Sequence, residues 1–435
     1  MFARSVIATL LASSLILCTG ETHNMVNAKI ASTTFEAPQK SAPLVEQYLL
    51  TGRLSEGEKS LKAHLTAHRN DDQTRFGLGL LQFLQAFESA SQQIYYFGIR
   101  NWEGQLPTHL AMFRLPVNQQ PHQISYQQLR KIFLDFHDKV AEAESTLSGI
   151  TASDVTLPIH FGLIELDFTG HGEAQNEDKQ RLWELYSVVS RNQQISASEA
   201  ESFFIKFDRG DVHWLRGYCH VFLALSNIVL AYNSHASFDS SAHLFFACVD
   251  SPYKFLAQRR LSDKSAGWRP NLNEIFDVVA GLHHLQCEVV EPERMKAALN
   301  DLEEVVAQSR ESWRWIMAET DDDHEWLPNP KQTGVIPNMQ VTDEMVSSWM
   351  EIMDENEKIL QGKLLIPFWR GNDTETGINL RKVFLEPRTF DLFDWIQGVA
   401  AQPYLEKGTL SKGDNWTRMR SGFSSNFPGF VLYFN

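Results

Sequence analysis

The run Val212-His-Trp-Leu-Arg-Gly-Tyr-Cys-His-Val-Phe-Leu-Ala-Leu-Ser-Asn-Ile-Val-Leu-Ala-Tyr232 decides the fold class. Fifteen of its 21 residues are apolar or aromatic, and no Asp, Glu, Lys or Arg occurs between Gly217 and Phe238. Asp208-Arg-Gly-Asp211 just upstream supplies a cap and turn, so the spacing predicts a helix from Val212 to near Asn233. At about 100° per residue, His213, Arg216, His220 and Asn227 fall on one stripe of that helix. In a bilayer Arg216 and the two histidines would face lipid at considerable cost, and no second span accompanies them. The expectation is a buried central helix in a globular body, with acidic or carbonyl groups facing its stripe.

A second mostly apolar stretch, Asn273 to Val290, offers such groups. On a continuous helix Asp277, Gly281, His284 and Glu288 share a stripe, with Glu274 at its edge, while His283 and Cys287 sit on another face. The two helices are therefore expected to pack together, with His213, Arg216 and His220 facing Asp277, His284 and Glu288. Such a contact is either a buried network that locks helix register or a metal or substrate site between helices. The sequence has no Glu-x-x-His pair and no HExxH, so a ferritin-like di-iron site and a zincin are unsupported. His64 and His68 also have ligand spacing, on what reads as a packing or surface face.

Outward from this centre, helical periodicity recurs at Leu129–Leu147, Asn300–Met317 and Met345–Leu360. Residues 101–124 are Pro-rich and irregular. Strand-like patterning is confined to Val155–Phe168 and to a hairpin of Lys363–Trp369 with Ile378–Phe384. The predicted fold is mainly α: a helical-hairpin, solenoid-like N-terminal part (43–100) packed on a larger helical body (101–435), with a small β element near the C-terminus. The segment 43–82 resembles one tetratricopeptide helical hairpin. Gly52-Arg53, Leu61 with Leu65, and the turn Asn70-Asp71-Asp72 carry the likeness. The usual turn proline is missing and no second copy follows at a 34-residue period. A single repeat cannot bury its own face, so it is expected to pack on the rest of the chain.

Asp167-Phe-Thr-Gly-His-Gly-Glu-Ala-Gln-Asn-Glu-Asp178 resembles an EF-hand loop. Asp167, Thr169 and Asp178 stand at oxygen-ligand positions 1, 3 and 12, Gly172 stands at the turn position, and a helix from Gln180 to Val189 is expected to follow. The likeness implies calcium as the cofactor. His171 at position 5 and the short Asp178 depart from the pattern, and a glycine-rich turn that caps the next helix is the plainer reading.

Near the end of the Asn300–Met317 helix comes Trp313-Arg-Trp-Ile-Met-Ala-Glu-Thr-Asp-Asp-Asp-His-Glu-Trp326. Glu319, Asp321, Asp322, Asp323 and Glu325 crowd a helix C-terminus; a solvated helix end is the plainer reading, although the dipole opposes acids there and this hints at a cation or a basic partner. Trp326 and its neighbours beside carboxylates are also what a sugar site uses.

The whole chain has 435 residues, 43% hydrophobic and 21% charged, with a net charge of −15. That composition excludes collagen-like, coiled-coil and wholly disordered classes. The acidic balance argues against nucleic acid as a partner. Elbow-serine, P-loop, dinucleotide-binding and kinase motifs are absent. Met1 to Cys18 has a charged start and an apolar run of signal-peptide length. Cleavage after Val26-Asn27-Ala28 makes residues 1–28 a signal peptide and 29–42 a flexible leader. The three cysteines beyond it, Cys219, Cys248 and Cys287, allow at most one internal disulfide. The sequence thus points to an exported (periplasmic or extracellular) helical protein without a transmembrane span in its mature form. It is expected to bind a small molecule, a metal or a protein. The alternative is a carbohydrate-directed hydrolase or lyase with a carboxylate/His site.

Overall fold

A computed structural model describes residues 42–100, 115–172, 179–182, 203–257, 272–335, 340–370 and 375–412. The chain is mainly helical, with small antiparallel sheets between the helices. The described helices, in order, are α1 (Glu46–Leu49), α2 (Leu54–Ala67), α3 (Asp72–Tyr96), α4 (Tyr126–Ser148), α5 (Arg209–Ala231), α6 (His235–Ser241), α7 (Leu272–His283), α8 (Pro292–Ile316), α9 (Asp343–Leu360), α10 (Leu380–Leu385) and α11 (Leu392–Gln397). The strands are β1 (Leu157–Ile159), β2 (Glu165–Asp167), β3 (Lys179–Arg181), β4 (Ile205–Phe207), β5 (Tyr232–Asn233), β6 (Gln286–Val289), β7 (Ile366–Pro367), β8 (Thr376–Ile378), β9 (Phe390–Asp391) and β10 (Leu405–Lys407). The signal-peptide and leader region up to residue 41 lies outside the described residues.

The apolar run at 212–232 forms α5, started by a capping box in which Asp208 accepts from Gly210 N and Asp211 N while Asp211 accepts from Asp208 N. By length and composition alone this helix could cross a membrane, but 56% of its most apolar window is buried inside the protein. It packs chiefly on α8 and then on α4, which in turn packs on α3. Two apolar clusters meet along it. One joins α2, α3 and α4 to β1, β2 and β4 through Phe76, Leu81, Leu147 and Phe168. The other joins α8 and α9 through Leu299, Trp313, Trp349 and Ile352.

The N-terminal α2 and α3 form an antiparallel hairpin, with Asp71 capping α3 through Thr74 N. At Gly79 a Cβ would stand 2.5 Å from the Leu147 side chain, so the bare backbone lets α3 close onto α4.

Three expectations on local structure change. The predicted Asn273–Val290 helix ends at His283 and continues as β6, which pairs with β5 and β9. Cys287 and Glu288 are therefore strand residues, not members of a helix stripe. The stretch 378–384 is not one strand: β8 ends at Ile378, and Asn379 caps the short α10 through Lys382 N. Residues 179–181 after the glycine-rich loop are β3, paired with β2, not the start of a helix. The remainder of that expected helix, 183–189, lies outside the described residues.

Candidate functional site

The basic stripe of α5 finds partners, but not on α7. Arg216 donates from Nε and Nη2 to Glu144 Oε1 of α4 at 3.0 and 2.8 Å. His220 Nδ1 meets Asp301 Oδ1 of α8 at 3.0 Å, and its Nε2 lies 3.6 Å from Glu144 Oε1. Asn227 donates to the other oxygen of Asp301 and accepts from Arg294. His213 Nδ1 pairs with Gln308 Oε1 at 2.8 Å. Burial by itself would lower the His220 pKa, but its hydrogen bonds to Asp301 and Glu144 outweigh this and push it up to about 9. Burial likewise opposes ionisation of Glu144, but His220 and Arg216 hold it below the usual range.

The expected facing stripe is dispersed. Asp277 on α7 pairs with His243 at 3.1 Å, His284 is exposed, and Glu288 sits on β6 opposite Asn233. The proposed contact of the 212–233 and 273–290 helices therefore fails. Its acids come instead from α4 and α8, because those helices flank α5 while α7 packs on α6 and α11. The charges of Arg216, His220, Glu144 and Asp301 are thus paired inside the packing of α4, α5 and α8.

The acidic loop after α8 brings two of its carboxylates together with Asp208. Asn329 Nδ2 donates to Ile316 O at the end of α8, and Gln332 Nε2 donates to Glu319 Oε2 and Asp321 O. Thr333 N donates to Asp322 Oδ1, and Glu325 forms a parallel bridge with Gly334. These bonds fold the loop back on itself, with His324 in the left-handed region at φ 63°. They carry Glu319 and Glu325 to the N-terminus of α5, where Asp208 waits as its cap. One carboxylate oxygen from each of Asp208, Glu319 and Glu325 lies within 4.8 Å of the others. At Gly210 a Cβ would stand 2.7 Å from Ile316, so this glycine lets the start of α5 and the end of α8 come close.

Each acid is oriented by a further bond. Asp208 Oδ1 accepts from Gly210 N, Glu319 Oε2 from Gln332 and Glu325 Oε1 from Asp323 N. The three line a cleft of about 280 Å³ together with Ser153, Asp154, Thr156, Arg209 and Trp315. Lys206 lies at its rim, held by Asp323 at 2.8 Å and Asp321 at 3.4 Å. Burial first, and then the charge and hydrogen bond of Asp208, push Glu319 up to about 10. Burial, followed by the charges of Asp208 and Asp321, pushes Glu325 up to about 7 against the hydrogen bond from Asp323 N and the charge of Lys206. Asp211, buried behind Asp208, is pushed well up by burial and by the charge of Asp208. Like charges this close cannot all ionise without a compensating cation or proton.

Of the loop residues singled out in the sequence, Glu319 and Glu325 enter the cluster and Asp321 lines the cleft. Asp322 and Asp323 hold the loop and Lys206. Trp326 does not face the cleft wall. It packs among Phe161, Phe207 and Trp214 in the core. The sequence reading missed Asp208 as a site residue because a capping aspartate already has a structural role.

In the EF-hand-like loop, Asp167 Oδ1 accepts from Thr169 N, Thr169 Oγ1 and Gly170 N, and Oδ2 accepts from Gly172 N. Asp167 and Thr169 are thus engaged within the turn, which joins two strands rather than two helices. Asp178 lies outside the described residues. His64 and His68 stack at 4.2 Å, and His64 is tied to Asp71.

No protein family, curated protein or solved structure matches the chain.

Proposed function

We propose that the protein is an exported binding protein that holds a divalent cation at Asp208, Glu319 and Glu325. The convergence of three oriented carboxylates within 4.8 Å in the lining of a cleft supports this reading. All three donors are hard oxygen, the donor set that suits calcium, magnesium or manganese. A divalent ion neutralises the cluster and releases the protons that burial and mutual repulsion otherwise retain. The export component rests on the apolar run and cleavage pattern of residues 1–28.

The test is thermal unfolding of EDTA-treated protein with each cation. A bound ion should stabilise the fold by about 2.7 kcal/mol at about 100 times its dissociation constant. Asp208→Asn and Glu325→Gln should each abolish the shift. No shift with any of the three ions at millimolar concentration overturns the proposal.

A second reading takes the same acids as a hydrolytic pair. Glu319, kept protonated beside Asp208, has the state of a general acid. For a carbohydrate substrate, however, Trp315 would have to serve as a stacking surface. Its ring already carries the guanidinium of Arg314 at 4.6 Å and that of Arg209 at 6.0 Å. This occupation favours the cation reading. Turnover of aryl glycosides that is lost in Glu319→Gln would reverse the preference.

A further inference from the structure

The helix α7 is turned inside out. Its polar side faces the protein: Asp277 Oδ2 lies 3.1 Å from His243 Nε2, and the carbonyl of Gly281 accepts from Ser237 Oγ of α6 at 3.3 Å. A Cβ at Gly281 would stand 2.7 Å from Ser241, so this side of α7 is pressed against α6. The apolar residues are left in water. Ile275, Val278 and Val279 are exposed, and Phe276 is 63% exposed. Ile275, Phe276 and Val279 lie about 100–160° round the helix from both Asp277 and Gly281. Beside α7, α11 carries a second exposed apolar pair. The pairing of β6 with β9, and the bond from Leu392 N to Leu285 O at 3.2 Å, set α11 against α7. There Phe393 and Ile396, one turn apart, are 48% and 62% exposed. A surface helix of a globular body ordinarily turns its apolar stripe to the core.

We infer that α7 and α11 form the interface between two copies of this chain. At roughly 150–250 Å² for a whole aromatic side chain and less for an aliphatic one, the exposed parts of these six residues amount to about 500 Å² of apolar surface. That lies within the range of the largest patch on a typical monomer, about 300–600 Å², which is often a functional one. It is also what one side of a homodimer interface of ordinary size requires, about 800 Å² of which about 65% is apolar. Charge favours a protein over a bilayer as the occupant. Neither α7 nor α11 holds a Lys or Arg, and the chain has a net charge of −15. The face therefore lacks the basic residues that hold an interfacial helix to lipid headgroups, and anionic lipid would repel the protein. A second copy meets no such obstacle. A twofold axis across α7 sets the same apolar stripe against itself, with the two helix dipoles antiparallel.

The experiment is sedimentation equilibrium of the intact protein at micromolar concentration, in EDTA so that cation binding plays no part. The wild type should have the mass of two chains. Phe276→Glu combined with Ile396→Glu should weaken the dimer by about a hundredfold or more, because it buries like charges in the interface. Both side chains are exposed in the single chain, so the variant is expected to keep its helical circular dichroism. If it unfolds, Val279→Cys replaces it. Val279 lies in the middle of the apolar stripe, and mild oxidation should join two chains through the new thiol. Wild type treated in the same way is the control, with Cys219 and Cys287 buried. A single-chain mass for the wild type overturns the inference, and sedimentation of that monomer with phosphatidylcholine vesicles would assign the face to a bilayer instead. A dimer that survives in the folded double variant, or that Val279→Cys fails to cross-link beyond the control where the double variant unfolds, also overturns it, since the contact then lies on another face.

Discussion

Glu144 Oε1 accepts two hydrogen bonds from Arg216, at 2.8 Å from Nη2 and 3.0 Å from Nε. Both side chains are largely buried between α4 and α5, and 72 residues of chain separate them. Removing one partner leaves a charge stranded in the helix packing. Arg216→Met or Glu144→Leu alone should therefore cost about 3–5 kcal/mol. The double variant should recover much of that loss, giving a large coupling energy in denaturant unfolding. Arg216→Met combined with Asp277→Leu should show additive effects, because Asp277 belongs to His243 instead.

His220 makes a pH-dependent contribution to stability. Its folded pKa of about 9 lies above the ordinary value of 6.5, so the folded state binds the proton more tightly than the unfolded chain. The stabilisation is complete below pH 6.5 and is lost as pH rises through about 9. Its ceiling is about 3 kcal/mol at 1.36 kcal/mol per unit. Unfolding curves between pH 6 and 10 should show a decline in the wild type that is reduced in His220→Gln. A parallel decline in both proteins would assign the pH dependence to other groups.

The carboxylates of the cleft also lose stability as pH rises, but because their folded form is the neutral one. Glu319 and Glu325 have raised folded pKa values of about 10 and 7, against an ordinary 4.5. The folded state retains protons that the unfolded state has released, so stability falls as pH rises above 4.5 toward these values. Without added cation, Glu319→Gln should therefore stabilise the protein at pH 8, by about 2 kcal/mol, and change little at pH 4. A destabilised Glu319→Gln at pH 8 would mean that the carboxyl group contributes more than repulsion.

Asp167 fastens its loop by accepting from three backbone N–H groups of the following turn. Burial works against its charge, but these bonds hold its pKa below the usual aspartate value of 3.8. The stabilisation is present above pH 3.8 and is lost as pH falls through the depressed folded value. In calcium-free buffer Asp167→Ala should cost about 1–3 kcal/mol, since it orphans those donors. Hydrogen exchange should quicken at Thr169, Gly170 and Gly172. A neutral substitution, or protection left intact at those amides, would contradict this role.

The helices were legible in the sequence because their determinants are local. Apolar periodicity marked α4, α5, α8 and α9, and Asp208-Arg-Gly-Asp211 marked the start of α5. The failure at 284–290 has a local cause as well. His284 and Glu288 fit a helical stripe, yet Cys287 and Val289 fit a strand equally well, and pairing with Tyr232 and Phe390 chose the strand. The short strands β5 and β9 had no run long enough to show alternation.

By itself the sequence determined that a helical body would form, that α5 would lie at its centre, and that His213, Arg216, His220 and Asn227 would share one stripe requiring polar partners. All of this follows from spacing within a few turns of helix. Which acids met that stripe was decided only in three dimensions: Asp277, Glu144 and Asp301 all carry the right charge, and the packing of α5 on α4 and α8 chose the last two. The cleft is likewise tertiary. Asp208 caps one helix while Glu319 and Glu325 follow another, and only the bonds of Asn329 and Gln332 that turn the loop back bring them together. The repulsion among these acids is a property of distance, and distance between remote residues is fixed by packing rather than by any local pattern.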